Sequence, residues 1–183
     1  MLRIIAGKYR HLKIESPDTD KTRPTTDRVR EALMSALGMK IVDATCLDLF
    51  SGSGALGLES LSRGAKEVVF VDKAPIAIKT IKINLASLKA ENFRVILASY
   101  EKALQIFKEE GKKFDIIYLD PPYKMVEVYE KVRNLLIDYD LLNPNAILVE
   151  ESNIAFKGDY GLSKDYKYGT VHIRITKEIR KWK

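Results

Sequence analysis

Apolar and polar residues change rhythm several times along the chain, and each rhythm implies an element. Leu2-Arg3-Ile4-Ile5-Ala6 and Tyr9-Arg10-His11-Leu12-Lys13-Ile14 are strand-like runs. They flank Gly7-Lys8, a two-residue turn signal, and so predict an opening hairpin. A loop with Pro17 and Pro24 follows. Then Val29, Ala32, Leu33, Ala36 and Leu37 recur at the spacing of one helix face. Thr25, Thr26 or Asp27 would cap this helix and Gly38 would end it.

Beyond Gly38 the patterns alternate. Residues 45–50, 67–71, 93–97, 114–119 and 146–149 read as strands. Residues 55–63, the face Ile78, Ile81, Leu85 and Leu88, residues 101–109 and residues 126–137 read as the helices between them. Alternation of this kind predicts an α/β fold, a parallel sheet with helices on both faces. Residues 162–168 and 170–176 flank Gly169 with no helix between them, which predicts a terminal antiparallel hairpin. The expectation is a Rossmann-like, seven-stranded, mostly parallel sheet in one domain over residues 1–183. Residues 1–25 form an N-terminal extension of hairpin and loop, and residues 26–183 the core.

Composition narrows the classes. Apolar residues make up 46% of the chain and charged residues 31%, a globular balance with no apolar run long enough to span a bilayer. The opening Met1-Leu2-Arg3-Ile4-Ile5 lacks a secretory stretch, so a cytoplasmic location is expected. One cysteine, Cys46, and two histidines, His11 and His172, argue against an internal disulfide or a Cys/His metal site. No metal is expected, and Cys46 reads as a small core residue. The net charge of +6 is uneven: residues 1–30 and residues 174–183 each carry +4, leaving the middle slightly acidic. Basic ends on a near-neutral body suggest a polyanionic partner.

Two motifs carry chemistry. In Leu47-Asp48-Leu49-Phe50-Ser51-Gly52-Ser53-Gly54-Ala55-Leu56-Gly57 a strand enters a glycine-rich turn that opens a helix. Glycines let the backbone turn tightly and approach a ligand, and a helix N-terminus favours an anionic group. In Val69-Phe70-Val71-Asp72 an acid ends the next strand, at the carboxyl ends of the strands, outside which open α/β sheets bind ligands. Its carboxylate suits the two hydroxyls of a ribose. Gly52, Gly54 and Gly57 also satisfy the dinucleotide pattern, so the loop alone reads as a site for an adenosine-containing ligand, NAD included. Asp48 either binds the ligand's amino group or fixes the loop.

The second motif, Asp120-Pro121-Pro122-Tyr123, follows the apolar strand Phe114-Asp115-Ile116-Ile117-Tyr118-Leu119. The two prolines fix the backbone and remove two N–H donors. The Asp120 side chain and the Pro121 carbonyl are then two acceptors for the two protons of an exocyclic amine. Tyr123 offers a face on which a base can stack, worth roughly 1–3 kcal/mol. An amine conjugated to a purine is a poor nucleophile, and a clamp on both N–H bonds would orient it for attack.

With both motifs in place, the sequence resembles the class I S-adenosylmethionine methyltransferases that carry an Asp-Pro-Pro-Tyr tetrad. Arg23-Pro24-Thr25-Thr26-Asp27-Arg28-Val29-Arg30-Glu31-Ala32-Leu33 and the Arg3-Ile4-Ile5-Ala6-Gly7 opening extend the match over nearly the whole chain. They resemble the bacterial 16S rRNA guanine-N2 methyltransferases acting at rRNA position 966. The resemblance implies S-adenosylmethionine as cofactor and 16S rRNA, within small-subunit particles, as partner. It places Ser51, Gly52 and Gly54 at the methionine part of the cofactor, Asp72 at the ribose, and Ser99 or Tyr100 near the adenine. Asp48, Phe50 and Lys73 complete this cofactor set. Asp120, Pro121, Pro122 and Tyr123 would hold the target guanine. Arg23 and Thr25 would close over cofactor or target, while Arg28 and Arg30 face phosphate or hold the N-terminal segment. Ala98-Ser99-Tyr100 departs from the Asp or Asn often found there, so a backbone N–H is an alternative reader of adenine.

Rival readings fit less well. A dehydrogenase usually needs a substrate domain, and only 34 residues follow Val149. A DNA adenine-N6 methyltransferase would share the tetrad but commonly adds a target-recognition region. A non-catalytic RNA-binding module leaves the loop, Asp72 and the tetrad unexplained. Lys8, Arg10, Lys13, Arg180, Lys181 and Lys183 are candidate phosphate contacts, Trp182 is expected to pack on the body, and the chain is expected to be a monomer.

Overall fold

A computed structural model describes residues 2–17, 26–122 and 127–181. A seven-stranded sheet runs β5-β4-β3-β6-β7-β9-β8. Its strands are β3 (Thr45–Asp48), β4 (Glu67–Asp72), β5 (Phe93–Leu97), β6 (Phe114–Leu119), β7 (Leu142–Ser152), β8 (Leu162–Tyr168) and β9 (Val171–Lys177). The first five pair in parallel, and β9 lies antiparallel between β7 and β8. The helices are α1 (Asp27–Leu37), α2 (Ala55–Ser62), α3 (Pro75–Ser87), α4 (Tyr100–Glu110) and α5 (Glu127–Asp138). The chain winds outward from β3 through β4 to β5, then returns to build β6 and β7 on the other side. The order therefore reverses at β3, where open α/β sheets bind ligands.

Strand residues alternate between two cores, as a period of two requires. Cys46, Phe70, Ile116, Tyr118 and Val149 face α1, α2 and α3. Leu47, Val71, Ile117, Leu119 and Leu148 face α4 and α5. Local signals set the helix ends. Thr26 Oγ1 accepts from Val29 N at 3.4 Å, and Gly38 closes α1 at φ +53°. Ser99 caps α4, and Gly111 ends it at φ +62°. Pro75 takes the first turn of α3, where its missing N–H costs nothing.

Three expectations need correction. The α1 face is rotated: Arg30 and Met34 are buried with Val29, Leu33 and Leu37, while Ala36 is exposed. Strand β7 is much longer than residues 146–149, because the polar residues Asn143 and Asn145 give no strand signal and a register shift lies opposite them. The opening hairpin is present but turns over residues 7–10, where Arg10 N donates to the Gly7 carbonyl at 3.2 Å, rather than tightly at Gly7-Lys8. β1 (Leu2–Arg3) and β2 (Lys13–Ile14) pair over two residues, Ile4 N donates to the Leu12 carbonyl and His11 N to the Ile4 carbonyl, each at 2.9 Å, and the turn between them also bonds to α2. Ile5 N and Ala6 N donate to Glu59 at 2.9 and 3.1 Å. Lys8 N donates to the Ser62 carbonyl at 2.7 Å and Tyr9 N to Ser62 Oγ at 2.9 Å. At Gly7, φ is +84° and a Cβ would stand 1.8 Å from the Ser62 carbonyl oxygen, so this approach requires glycine.

Buried charges hold the docked segment. Glu59 and Arg30 are fully buried. Glu59 accepts from Arg63 Nε at 3.0 Å and faces Arg30 Nε at 3.6 Å. Arg30 Nη2 donates to Asp27 at 3.0 Å and to the Arg3 carbonyl. Of the two roles open to Arg30, the structure shows the second, holding the N-terminal segment. Removing one partner strands the other charge, so Glu59→Ala should cost about 3–5 kcal/mol in urea unfolding. A loss below about 1 kcal/mol would show that the segment is held otherwise.

Candidate active site

The glycine loop leaves β3 at Asp48 and is tied to both neighbouring strands. Leu49 N donates to the Tyr118 carbonyl at 3.2 Å, and Ser51 N to the Val71 carbonyl at 3.0 Å. Ser51 Oγ donates to the Asp48 carbonyl at 2.6 Å and accepts from Val71 N at 2.9 Å. The Ser51 hydroxyl is thus engaged inside the loop. Gly54 N donates back to the Ser51 carbonyl at 2.6 Å, closing the turn.

The glycines do different work. Gly52 has φ +54° and an open face, since a Cβ there would meet nothing within 4 Å. Gly54, at φ +79°, heads α2 without a side-chain cap. Gly57 lets α2 approach β4: a Cβ would stand 2.3 Å from the Phe70 ring.

Two strand-end carboxylates hold the loop's amides. Asp72 Oδ2 accepts from Gly52 N at 2.9 Å, and its Oδ1 accepts from Ala74 N at 2.8 Å. Asp48 Oδ2 accepts from Gly57 N at 3.1 Å. Asp48 is buried, and burial pushes its carboxyl up to about 7, aided by the Asp72 charge and opposed by the Gly57 N–H. Through Gly57 N, Asp48 ties the end of β3 to the first turn of α2, across the loop.

Strand β6 runs beside β3 in the register Cys46↔Ile116, Leu47↔Ile117, Asp48↔Tyr118, and delivers Asp120 next to the loop. Asp120 is half-buried, Pro121 buried and Pro122 exposed. Burial holds the Asp120 carboxyl well above the usual carboxylate range, and the charges of Glu151 and Asp48 add to this. Register Leu119↔Glu150 puts Glu151, itself buried, on the next strand beside Asp120. Tyr129 donates to the Glu151 carbonyl at 2.6 Å and tethers α5 to this corner.

Other candidates are more peripheral. Phe50 is half-buried, its ring 5.7 Å from that of Tyr100. Ser99 and Lys73 are exposed, and Ser99 Oγ accepts from Lys102 N at 3.3 Å as the cap of α4. Arg23, Thr25, Tyr123, Trp182 and Lys183 lie outside the described residues. The basic ends are less free than their count suggests. Arg174 is buried on Asp165, Arg180 pairs with Glu178, and Lys181 pairs with Asp138. Lys8, Arg10 and Lys13 are exposed and form no ion pair among the described residues.

Sequence reasoning missed Glu151 and the network behind it. Arg133 pairs with Glu150, and its guanidinium lies 3.5 Å from the Tyr160 ring centre. The signal was there: Glu150-Glu151-Ser152 ends an apolar strand. It missed Asn84 too, a polar residue inside an apolar helix face.

The antiparallel β9 inserted between β7 and β8 is absent from an all-parallel dinucleotide-binding sheet. This sheet order is that of the Rossmann-like methyltransferase fold, and the chain is similar to the solved structure of a putative methyltransferase from Escherichia coli, with a TM-score of 0.82 at 36% identity, covering 100% of this chain and 99% of that one. Residues 2–177 match the family described as Conserved hypothetical protein 95, and the chain belongs to that family. It is 41% identical over 179 residues to the Ribosomal RNA small subunit methyltransferase D of Escherichia coli K12, covering 95% of this chain and 88% of that protein. The Haemophilus influenzae protein of the same name is 36% identical over 180 residues, 95% of this chain and 92% of its own. The solved structure of a hypothetical protein from Thermus thermophilus superposes with a TM-score of 0.84 at 28% identity, covering 96% of this chain and 99% of that one. Among the described residues no helix is long and apolar enough to cross a membrane.

A carboxyl whose folded pKa is raised has its stability intact below its ordinary range and loses it as pH rises to the folded value. For Asp48 the window runs from 3.8 to about 7. In urea unfolding across it, Asp48→Asn should remove up to about 1.4 kcal/mol per pH unit of declining stability. Equal slopes in both proteins would contradict this placement of the carboxyl.

Proposed function

We propose that this chain transfers a methyl group from S-adenosylmethionine to the exocyclic N2 amine of a guanine in 16S rRNA. The observation that carries the reading is the parallel pairing of β3 with β6, which sets the open glycine loop beside the Asp120–Pro121 corner. The named relatives supply the substrate class, small-subunit ribosomal RNA.

The residues suit the donor. The open face of Gly52 and the uncapped start of α2 suit an amino-acid carboxylate. Asp72 keeps lone pairs for two ribose hydroxyls beyond its bonds to Gly52 and Ala74. Phe50 flanks the adenine side, with Lys73 and Ser99 at its rim. When bound, S-adenosylmethionine supplies an electrophilic methyl on a sulfonium.

The rest is done by the chain. The Asp120 carboxylate and the Pro121 carbonyl accept hydrogen bonds from the two amine N–H groups and turn the nitrogen lone pair toward the methyl. Tyr123 stacks on the base, and Pro122 stiffens the turn. As the N–C bond forms and the C–S bond breaks, the nitrogen becomes acidic and Asp120 takes its proton. A raised carboxyl pKa makes Asp120 a better acceptor at that moment. Arg23 and Thr25 close over the site. Lys8, Arg10 and Lys13 meet phosphates of structured RNA in assembled small-subunit particles, positioning the chain as a monomer without reading sequence.

Nucleoside mass spectrometry of rRNA from cells lacking the protein tests this. One N2-methylguanosine should vanish from 16S rRNA and return with the wild-type gene. Unchanged N2-methylguanosine with a lost N6-methyladenosine would point to the other amine.

Asp120→Ala should nearly abolish transfer while S-adenosylhomocysteine affinity stays within about threefold, under 1 kcal/mol. Asp72→Ala should weaken that affinity by about tenfold or more, over 1.4 kcal/mol. Equal losses of affinity would refute the division of roles.

Because Asp120 must be ionised to accept the proton, kcat/KM should rise with pH along a limb above the ordinary carboxylate range. Glu151→Gln removes a charge that raises Asp120, so the limb should move to lower pH. An unmoved limb would rule out this electrostatic pairing.

A further inference from the structure

Asn84 lies on α3, is 1% exposed, and makes three hydrogen bonds that join two otherwise separate parts of the chain. Its Oδ1 accepts from Glu15 N at 2.8 Å, and its Nδ2 donates to the Glu15 carbonyl at 3.0 Å. The same Nδ2 donates to the Ser53 carbonyl at 3.1 Å. The amide orientation is fixed by these partners, since a flip would set N–H against N–H and oxygen against two carbonyls.

Ser53 is the middle residue of the Gly52-Ser53-Gly54 turn. The peptide between Ser53 and Gly54 is held at both ends: Asn84 takes its carbonyl, and the Ser51 carbonyl takes its N–H at 2.6 Å. That double hold sets the loop's shape, with Gly54 at φ +79°. Ile81, one turn earlier on α3, packs where a Gly54 Cβ would stand, 3.2 Å away, so the helix braces the loop from the same side. Glu15 follows β2 directly, and from it the sequence leads through Arg23 and Thr25 to α1.

We propose that Asn84 is a positioning residue that couples the cofactor loop to the N-terminal segment. A donor that fixes the Ser53–Gly54 peptide also fixes the Asn84 amide, and through it the Glu15 backbone. By reciprocity, RNA that orders the N-terminal segment tightens the loop on the donor. The RNA-facing segment is then best formed when the methyl donor is in place. This rests on the reading that the donor occupies the Gly52–Gly54 loop.

Hydrogen exchange of the full chain, with and without S-adenosylhomocysteine, tests it. In the wild type, saturating ligand should slow exchange at Gly52–Gly54 and also at Glu15, the latter by about fivefold or more. In Asn84→Ala, ligand at saturation should still protect the loop but no longer slow Glu15. A purely structural Asn84 would raise basal exchange at Glu15 without touching its response to ligand. Loop protection without a Glu15 response in the wild type, or the same response in Asn84→Ala, overturns the coupling alone. No protection of the loop overturns the donor site and the coupling with it. If Asn84→Ala does not fold, the side-chain amide resonances of Asn84 in the wild type decide: they should move on ligand addition, and unmoved resonances overturn the proposal.

Discussion

Two amide protons, that of Gly52 in the glycine loop and that of Gly57 in the first turn of α2, end on carboxylates delivered by adjacent strand ends, Asp72 and Asp48. The loop can hold an open, left-handed turn at Gly52 because those N–H groups are satisfied from below. The cost falls on the carboxylates. Asp48 is buried beside Asp72, and its proton affinity rises accordingly. Asp120 arrives in the same acidic neighbourhood and is raised further by Glu151. The geometry that shapes the glycine loop thus also tunes the group proposed to take the amine's proton.

Around this centre the molecule spends several buried charges on holding its parts in register. Arg30 and Glu59 fasten the N-terminal segment to α1 and α2. Arg133 and Glu150 fasten α5 to β7, behind the Asp120 corner. Such pairs add little net stability when the cost of desolvation is counted, but they strongly disfavour separation of the elements they join. Both clamps therefore favour fixed position over strength, as the proposed orientation of a weakly nucleophilic amine would require.

Much of this was legible in the sequence, for identifiable reasons. The strands Phe93–Leu97 and Phe114–Leu119 were read to the residue because both are compact apolar runs between polar segments. The loop, Asp72 and the tetrad were legible because glycine and proline impose backbone shape whatever surrounds them. The opening hairpin was legible but its wider turn was not, because Ile5, Ala6 and Tyr9 bond to side chains of α2 more than 50 positions away, which no local pattern reports. The same holds for Asn84 and Glu151, whose meaning lies in neighbours brought together by the sheet. Nor does the charge count show which cations are free, since Arg30 and Arg174 are buried and serve the fold.

A crystal structure with S-adenosylhomocysteine and guanosine would test the proposed meeting of donor and base most directly. The account requires ribose hydroxyls on Asp72, the thioether sulfur turned toward the Asp120–Pro121 corner, and the guanine N2 between them in line for attack. A donor seated elsewhere on the sheet, or a sulfur facing away from that corner with the base bound, would contradict it.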